Sequence, residues 1–347
     1  MKILLVSDTE SSAISIVARE RAKLFDADLI YSTNFRNPLS ILDYIKRNHY
    51  GGVLFCWRGA LKEGMNLPRF RKIYRQLAEN TALHCLVPDF LGLNPLFLEE
   101  ERNLLANVHG YWVTSQQLFN IYKQTFPDTP PKGILHDLSN ADLISKSYSN
   151  SQELKVFWVG NSQWGKRYGY SDHKGFRRYV KPLISRFKSK IPSLTFEIID
   201  SHERKVSNEE LIKRMSRARV VIQTSDSEGT GLPILEALGL GVVPVTRDVG
   251  IASEVLQGDL SKFIVEASIE DFEDAIMEAL AFQNRGLLLE SYQKFIKGAQ
   301  SELVTWEKFQ LNYKFNSANF FIVMRVVFIW MYRYVMGKMM CSKCSLI

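Results

Sequence analysis

Cysteine is scarce, four in 347 residues, and the four build no framework. Cys56 and Cys85 stand in apolar, strand-like runs and read as small core residues. Cys341 and Cys344 form one CxxC with no second pair and no nearby histidine. That pattern argues against a disulfide scaffold and a structural zinc site, and it fits a reducing compartment. Cys344 to Ile347 has the outline of a prenylation box with an atypical last residue. Also missing are a P-loop, a G-x-S-x-G elbow and any His, Cys and carboxylate cluster at metal-ligand spacing. No metal is expected. There is no repeat of solenoid period and no low-complexity tract. Met1 to Asp8 lacks the long apolar region of a signal peptide and reads as a short strand, so the body is expected in the cytosol.

What is present is a chain 46% hydrophobic, enough to bury two ordinary cores. Lys and Arg number 44 against 37 Asp and Glu, a net charge of +7. The excess suits anionic partners such as nucleotide diphosphates or acidic headgroups. A nucleic-acid partner would rest on charge alone, with no recognisable module, and is not expected.

Strand and helix patterns alternate through both halves, as in a parallel sheet covered by helices. Strands are expected at 2–7, 28–31, 53–57, 83–87, 110–114 and 133–135, then at 155–159, 195–199, 219–224, 242–246 and 263–265. Helices are expected between them, including 174–187. The polar, serine-rich stretch 142–153 reads as a linker. The expected domains are 1–145 and 146–288, followed by a long helix over 289–316 and a tail over 317–347.

The stretch Ser225 to Gly239 is the most informative. A short apolar strand runs into a turn holding Gly229 and Gly231, and Pro233 suits the first turn of a helix beginning near Leu232. Free N–H groups and the positive dipole end would face the mouth of the sheet, a place to hold a diphosphate. Glu228 and Glu236 stand eight positions apart around that anion site. Carboxylates repel phosphate, so their partners would be hydroxyl donors, which a diphosphate with a sugar at each end supplies. The plainer alternative makes Glu236 a dipole-complementing residue and Glu228 a solvated one.

These residues, with Gly241 to Gly250 and Glu254-Val255, resemble the E-x7-E signature of retaining GT-B glycosyltransferases of family 4. The resemblance is specific over about 30 residues and covers the rest of the chain in outline. It implies two Rossmann-like doubly wound domains facing a central cleft, with a C-terminal helix crossing back to the first domain. It assigns Glu236 to the ribose hydroxyls of a nucleotide-sugar and Glu228 to the donor sugar, with Thr230 in the same turn and backbone groups of Gly231 and Leu232 facing the diphosphate. The segment around Trp306 is similar to the Trp-containing segment of that last helix.

The same resemblance implies a diphosphate loop after the strand at 155–159. Lys174-Gly175 matches its lysine. Asn161 stands where an Arg is usual, so Lys166 or Arg167 would have to substitute. Such cations would stabilise the departing diphosphate without a metal. Asp89, ending a strand, would orient the acceptor or stabilise positive charge on the sugar, with a turn-capping role as the alternative. Asp8 and Glu10 could bind acceptor hydroxyls or cap a helix, and Arg58 faces either the cleft or a surface ion pair. His109, His136 with Asp137, and His173 read as structural or exposed.

The tail Asn319 to Met336 is apolar and aromatic but interrupted by Arg325 and Arg333, which suits a helix lying on an anionic membrane surface better than a span. The resemblance therefore implies a retaining, metal-independent hexosyltransferase. It would move a sugar from a nucleotide-sugar to a cell-surface polysaccharide or lipid-linked acceptor, at the inner face of the membrane. The rivals are a nucleotide-sugar epimerase of the same fold and a non-catalytic binding partner in an assembly complex.

Overall fold

The computed structural model describes residues 2–302 and residue 306. The end of the long helix expected over 289–316, the tail over 317–347 and its Cys341 and Cys344 lie outside the described residues.

The chain begins with β1 (Ile3–Ser7), α1 (Ala13–Phe25), β2 (Asp28–Tyr31), α2 (Pro38–Asn48), β3 (Gly52–Phe55), α3 (Gly59–Met65), α4 (Pro68–Ala78), β4 (Ala82–Val87), α5 (Leu98–Asn107), β5 (Gly110–Val113), α6 (Gln116–Thr125) and α7 (Ala141–Ser147). It continues with β6 (Lys155–Gly160), α8 (Lys181–Lys190), β7 (Thr195–Asp200), α9 (Asn208–Met215), β8 (Val220–Gln223), α10 (Leu232–Gly239), β9 (Val243–Thr246), α11 (Ala252–Val255) and α12 (Ile269–Ala281).

Two parallel sheets result. The first has the order β2-β1-β3-β4-β5 and the second β7-β6-β8-β9. In each, the order reverses beside the first strand, and ligands of open α/β sheets bind at that point beyond the strands' carboxyl ends. Burial follows the pleat. Leu4 and Val6 enter one apolar layer and Ile3 and Leu5 the layer on the opposite face, because successive side chains of a strand alternate. The second domain builds one core around Val156 to Trp158, Val220 to Ile222 and α10.

After α12 the helical segment 285–302 lies first on the second domain's core through Leu288 and Tyr292. It then reaches the first domain, where Ala299 and Trp306 complete the layer holding Ile3, Leu5 and Trp112. Trp306 is fully buried, its ring 5.0 Å from that of Phe25. This is the crossing-back helix of the GT-B plan.

Several local expectations are corrected. At 133–135 and 263–265 only single bridges form, Val113 with Ile134 and Thr246 with Ile264, since neither segment is long enough to add a ladder. The helix expected over 174–187 starts later: a wide turn at Phe176–Val180 precedes α8. Gly175, at φ +67°, ends the preceding loop. The stretch 142–153 is not all linker, because Asn140 caps α7 by accepting from the Leu143 N–H.

Candidate active site

The two sheets face each other across a cleft of about 470 Å³, lined from one side by Asp8, Trp57, Pro88, Asp89 and Asp137 and from the other by Trp164, Lys174 and residues 227–233. The domains are closed on it. An added Cβ on Gly229 would fall 1.7 Å from the Pro88 carbonyl oxygen, so only glycine allows this approach. The sequence suggested positive φ at both turn glycines. Only Gly231 has it, at +80°, while Gly229 is there for proximity.

Gly231 caps α10 and Pro233 occupies its first turn, as expected. A cap in the left-handed region turns the chain sharply from β8 into the helix, leaving the N–H groups of Gly231 and Leu232 at a positive dipole end facing the cleft. Lys174 is carried there by a loop tied at its base: the Thr224 Oγ1 donates to the Lys174 carbonyl at 2.6 Å. An added Cβ on Gly175 would meet the Thr224 carbonyl oxygen at 2.3 Å.

Lys174 and Glu228 form an ion pair, each side chain less than one-fifth exposed. Burial alone would raise the Glu228 carboxyl, but the Lys174 ammonium beside it holds it below its usual range. His173 packs its ring 4.3 Å from Trp164, and its Nε2 lies 3.0 Å from the Ser227 carbonyl oxygen. Burial and the neighbouring Lys174 lower its pKa, so this ring is neutral.

Glu236 lies in the second turn of α10, 6% exposed. It takes no hydrogen bond from any described group, and burial pushes its carboxyl up to about 8. An acceptor buried without a donor has its capacity in reserve. Ligand hydroxyls are the groups that would satisfy it.

A second set of contacts joins the domains at the side of the cleft. Thr230 Oγ1 donates to Asp137 Oδ2 at 2.6 Å, and Arg21 Nη2 donates to Asp137 Oδ1 at 2.9 Å and to the Leu135 carbonyl at 2.8 Å. Nearby, His136 lies between two carboxylates, Nε2 2.7 Å from Glu254 and Nδ1 2.8 Å from Glu302. Burial alone would lower its pKa, yet the two carboxylates raise it to about 9. Glu254 also accepts from the Gln116 N–H at 2.9 Å, closing the same seam.

The structure brings Glu228, Lys174, Thr230, Gly231, Leu232, Asp89 and Arg167 to one cleft and leaves others outside its lining, among them Glu236, one helical turn beyond Leu232. Asn161 caps its own turn by accepting from the Gln163 N–H at 3.0 Å, and Lys166 is exposed on the far side of that loop. Of the two candidate substitutes for the usual Arg, only Arg167 lines the cleft. Asp89 Oδ1 accepts from Arg58 Nη2 at 2.6 Å and from the Leu91 N–H at 2.9 Å, so its contacts are those of a turn cap and ion-pair partner; it nevertheless faces the cleft. Arg58 is buried rather than in a surface pair. Ser12, not Asp8 or Glu10, caps α1, and Asp8 accepts from the Ser12 hydroxyl. Arg21 and Asp137 were not legible as site residues. They meet only in the fold, and a buried arginine on an amphipathic helix carries no local mark.

Residues 202–302 match the family described as Glycosyl transferases group 1. The matched segment contains both Glu228 and Glu236. The whole-chain fold is GT-B. The structure of Anabaena Alr3699/HepE in complex with UDP matches with a TM-score of 0.57 at 15% identity, over 91% of this chain and 100% of that one. Sucrose-phosphate synthase from Thermosynechococcus elongatus matches at 0.54 and 13% identity, over 93% and 100% of the two chains. The pneumococcal O-GlcNAc transferase GtfA, solved with UDP and GlcNAc, matches at 0.52 and 15% identity over 78% of this chain, which spans 59% of GtfA's length. No curated protein matches the sequence. Among the described residues no helix is long and apolar enough to cross a membrane.

Proposed function

We propose that the protein is a retaining, metal-independent glycosyltransferase that moves a sugar from a nucleoside-diphosphate sugar to a glycan or lipid-linked acceptor. The observation that carries this reading is the arrangement at the start of α10: an ion-paired Lys174 and Glu228 on the cleft wall, open helix N–H groups, and Glu236 buried without a donor. Each element has a partner in a nucleotide-sugar. Glu236 accepts the ribose hydroxyls and Glu228 the hydroxyls of the donor sugar. The ammonium of Lys174 has three donors, of which Glu228 engages one, leaving two for the diphosphate oxygens.

As the bond to the anomeric carbon breaks, negative charge grows on the diphosphate. In this reading Lys174, Arg167 and the N–H groups of Gly231 and Leu232 stabilise it, without reorganisation at the moment of reaction. Closure excludes water, favouring transfer to the acceptor over hydrolysis. Several GT-B structures that resemble this one hold UDP, which makes UDP the first nucleotide to test. A cell-surface polysaccharide or its lipid carrier as acceptor, and residence at the inner face of the membrane, belong to the same proposal and are supported by the net charge of +7.

The test is a thermal-shift and calorimetric screen against UDP, GDP, ADP and CMP with wild type and Glu236→Ala. One nucleoside diphosphate should stabilise the wild type by about 3 kcal/mol at one hundred times its dissociation constant. The variant should lose that response. A wild type that responds to none of the four would remove the basis of the reading.

A further inference from the structure

Trp57 and Tyr168 line the main cleft and also a smaller side pocket of about 160 Å³ that opens beside it. The pocket is walled by aromatic rings. Trp57 stands at the end of β3 with its indole against Gly59, and Phe97 precedes α5. Tyr168 comes from the opposite domain, its ring 5.1 Å from that of Phe97 and nearly perpendicular to it. Asn94 Nδ2 donates to the Tyr168 carbonyl at 3.2 Å, fastening that loop across the cleft. The pocket is therefore complete only when the domains are closed.

Its base is Arg58, 3% exposed. Arg58 spends Nε on Glu101 at 3.2 Å and Nη2 on Asp89, but its Nη1 is buried with no hydrogen-bond partner. A buried guanidinium donor left open is costly unless something accepts from it. The surrounding charge says what that is. Lys62 is also paired to Glu101, at 2.8 Å. With Arg167, whose guanidinium lies 4.5 Å from the centre of the Tyr168 ring, three cations face three carboxylates, Asp89, Glu100 and Glu101, so the pocket offers no net positive field to an anion. A volume near 150 Å³ accommodates one six-membered ring. Aromatic walls fit an apolar ring face, and the unpartnered Nη1 of Arg58 fits a hydroxyl or carbonyl oxygen.

We infer that this side pocket, formed by Trp57, Phe97, Tyr168 and the open Nη1 of Arg58, is a subsite for a neutral saccharide ring of the acceptor. The inference rests on the glycosyltransferase reading and deepens it by naming the acceptor's chemical class. Because Tyr168 roofs the pocket from the donor side, acceptor binding and domain closure reinforce one another.

The experiment titrates methyl glycosides of glucose, galactose and N-acetylglucosamine, and methyl glucuronide as the acidic control, into the UDP-saturated full chain. Binding is followed by saturation-transfer NMR. UDP binding, measured alone, reads the donor site independently. At least one neutral glycoside should bind at millimolar concentration, with the glucuronide at least tenfold weaker. Phe97→Ala and Tyr168→Ala should each weaken the neutral glycoside about tenfold. These two replace half-buried rings, so they keep the test alive if Arg58→Met fails to fold. If UDP binds but no neutral glycoside does, or if both ring variants bind the glycoside as wild type does, the subsite is overturned and the enzyme reading stands. An equal affinity for glucuronide overturns the neutral class. If UDP fails to bind as well, the enzyme reading itself falls.

Discussion

Replacing Glu236 with glutamine separates what this residue costs the fold from what it does for a ligand. Its carboxyl is buried without a donor, and its pKa moves from 4.5 to about 8. The folded protein therefore binds a proton that the unfolded chain has released. Stability is retained below the unfolded value and lost as pH rises from about 4.5 to about 8. A change of that size corresponds to roughly 5 kcal/mol when the group is fully ionised, at about 1.36 kcal/mol for each tenfold change in proton affinity. Glutamine matches the neutral carboxyl in shape and never ionises. Glu236→Gln should unfold at nearly the wild-type temperature at pH 5 and well above it at pH 9. With an unfolding entropy of roughly 2 cal/mol/K per residue over a body of about 300 residues, the gap at pH 9 should be about 8 °C. Differential scanning calorimetry of both proteins from pH 5 to 9 reads it, and the same variant should show a weakened thermal response to UDP. A gap that stays constant with pH would show that Glu236 ionises as an ordinary surface glutamate, and the argument from its burial would fail.

The neighbouring seam also loses stability as pH rises, but there the charged form is the one the fold favours. His136 is raised to about 9 by Glu254 and Glu302, so its contribution is fully present below the unfolded value near 6.5 and lost as pH rises through about 9. That contribution is roughly 3 kcal/mol, and the melting temperature of His136→Gln should trail wild type at pH 6.5 and approach it by pH 9.5. A deficit unchanged over that range would contradict the pairing. Gly229→Ala places a methyl group 1.7 Å from the Pro88 carbonyl oxygen, which holds the cleft open while leaving each core intact. Turnover should fall about a hundredfold or more with melting temperature nearly unchanged, and small-angle scattering should show a larger radius of gyration than wild type. A variant as compact and active as wild type would refute the closed arrangement.

Much of the architecture is legible because strands buried on both faces are short apolar runs and their spacing is regular. β2 lies where the sequence puts it, and α10 starts at Leu232 because glycine, leucine and proline in that order admit little else. Errors arise where a local pattern meets a tertiary constraint. The helical pattern from 174 is broken by Gly175, whose left-handed conformation is packed against Thr224, 49 residues away in the chain. The helix α3 is masked in the sequence by glycines at its first and sixth positions, and nothing local shows that α2, α4 and α5 pack around it. In the site, Glu228 and Glu236 are legible as a local pair. The partnership of Lys174 with Glu228, or of Arg21 with Asp137 and Thr230, becomes visible only in the folded chain. Asn161 shows the converse: placed by analogy with a neighbour's arginine, it turns out to serve its own turn.

The burial of Trp306 in the first domain has a consequence for biosynthesis. The members of that apolar layer from Ile3 to Leu138 are made early, while Ala299 and Trp306, which close over them, come roughly 160 to 170 residues later. At about 5–20 residues per second, a ribosome takes on the order of 10 to 30 s to cover that distance. For that interval the nascent first half presents an unfinished face containing Leu5, Leu54 and Trp112. Translation speed and chaperone supply thus bear on yield in a way that the finished protein's stability would not reveal, and the first half expressed alone should be prone to aggregate.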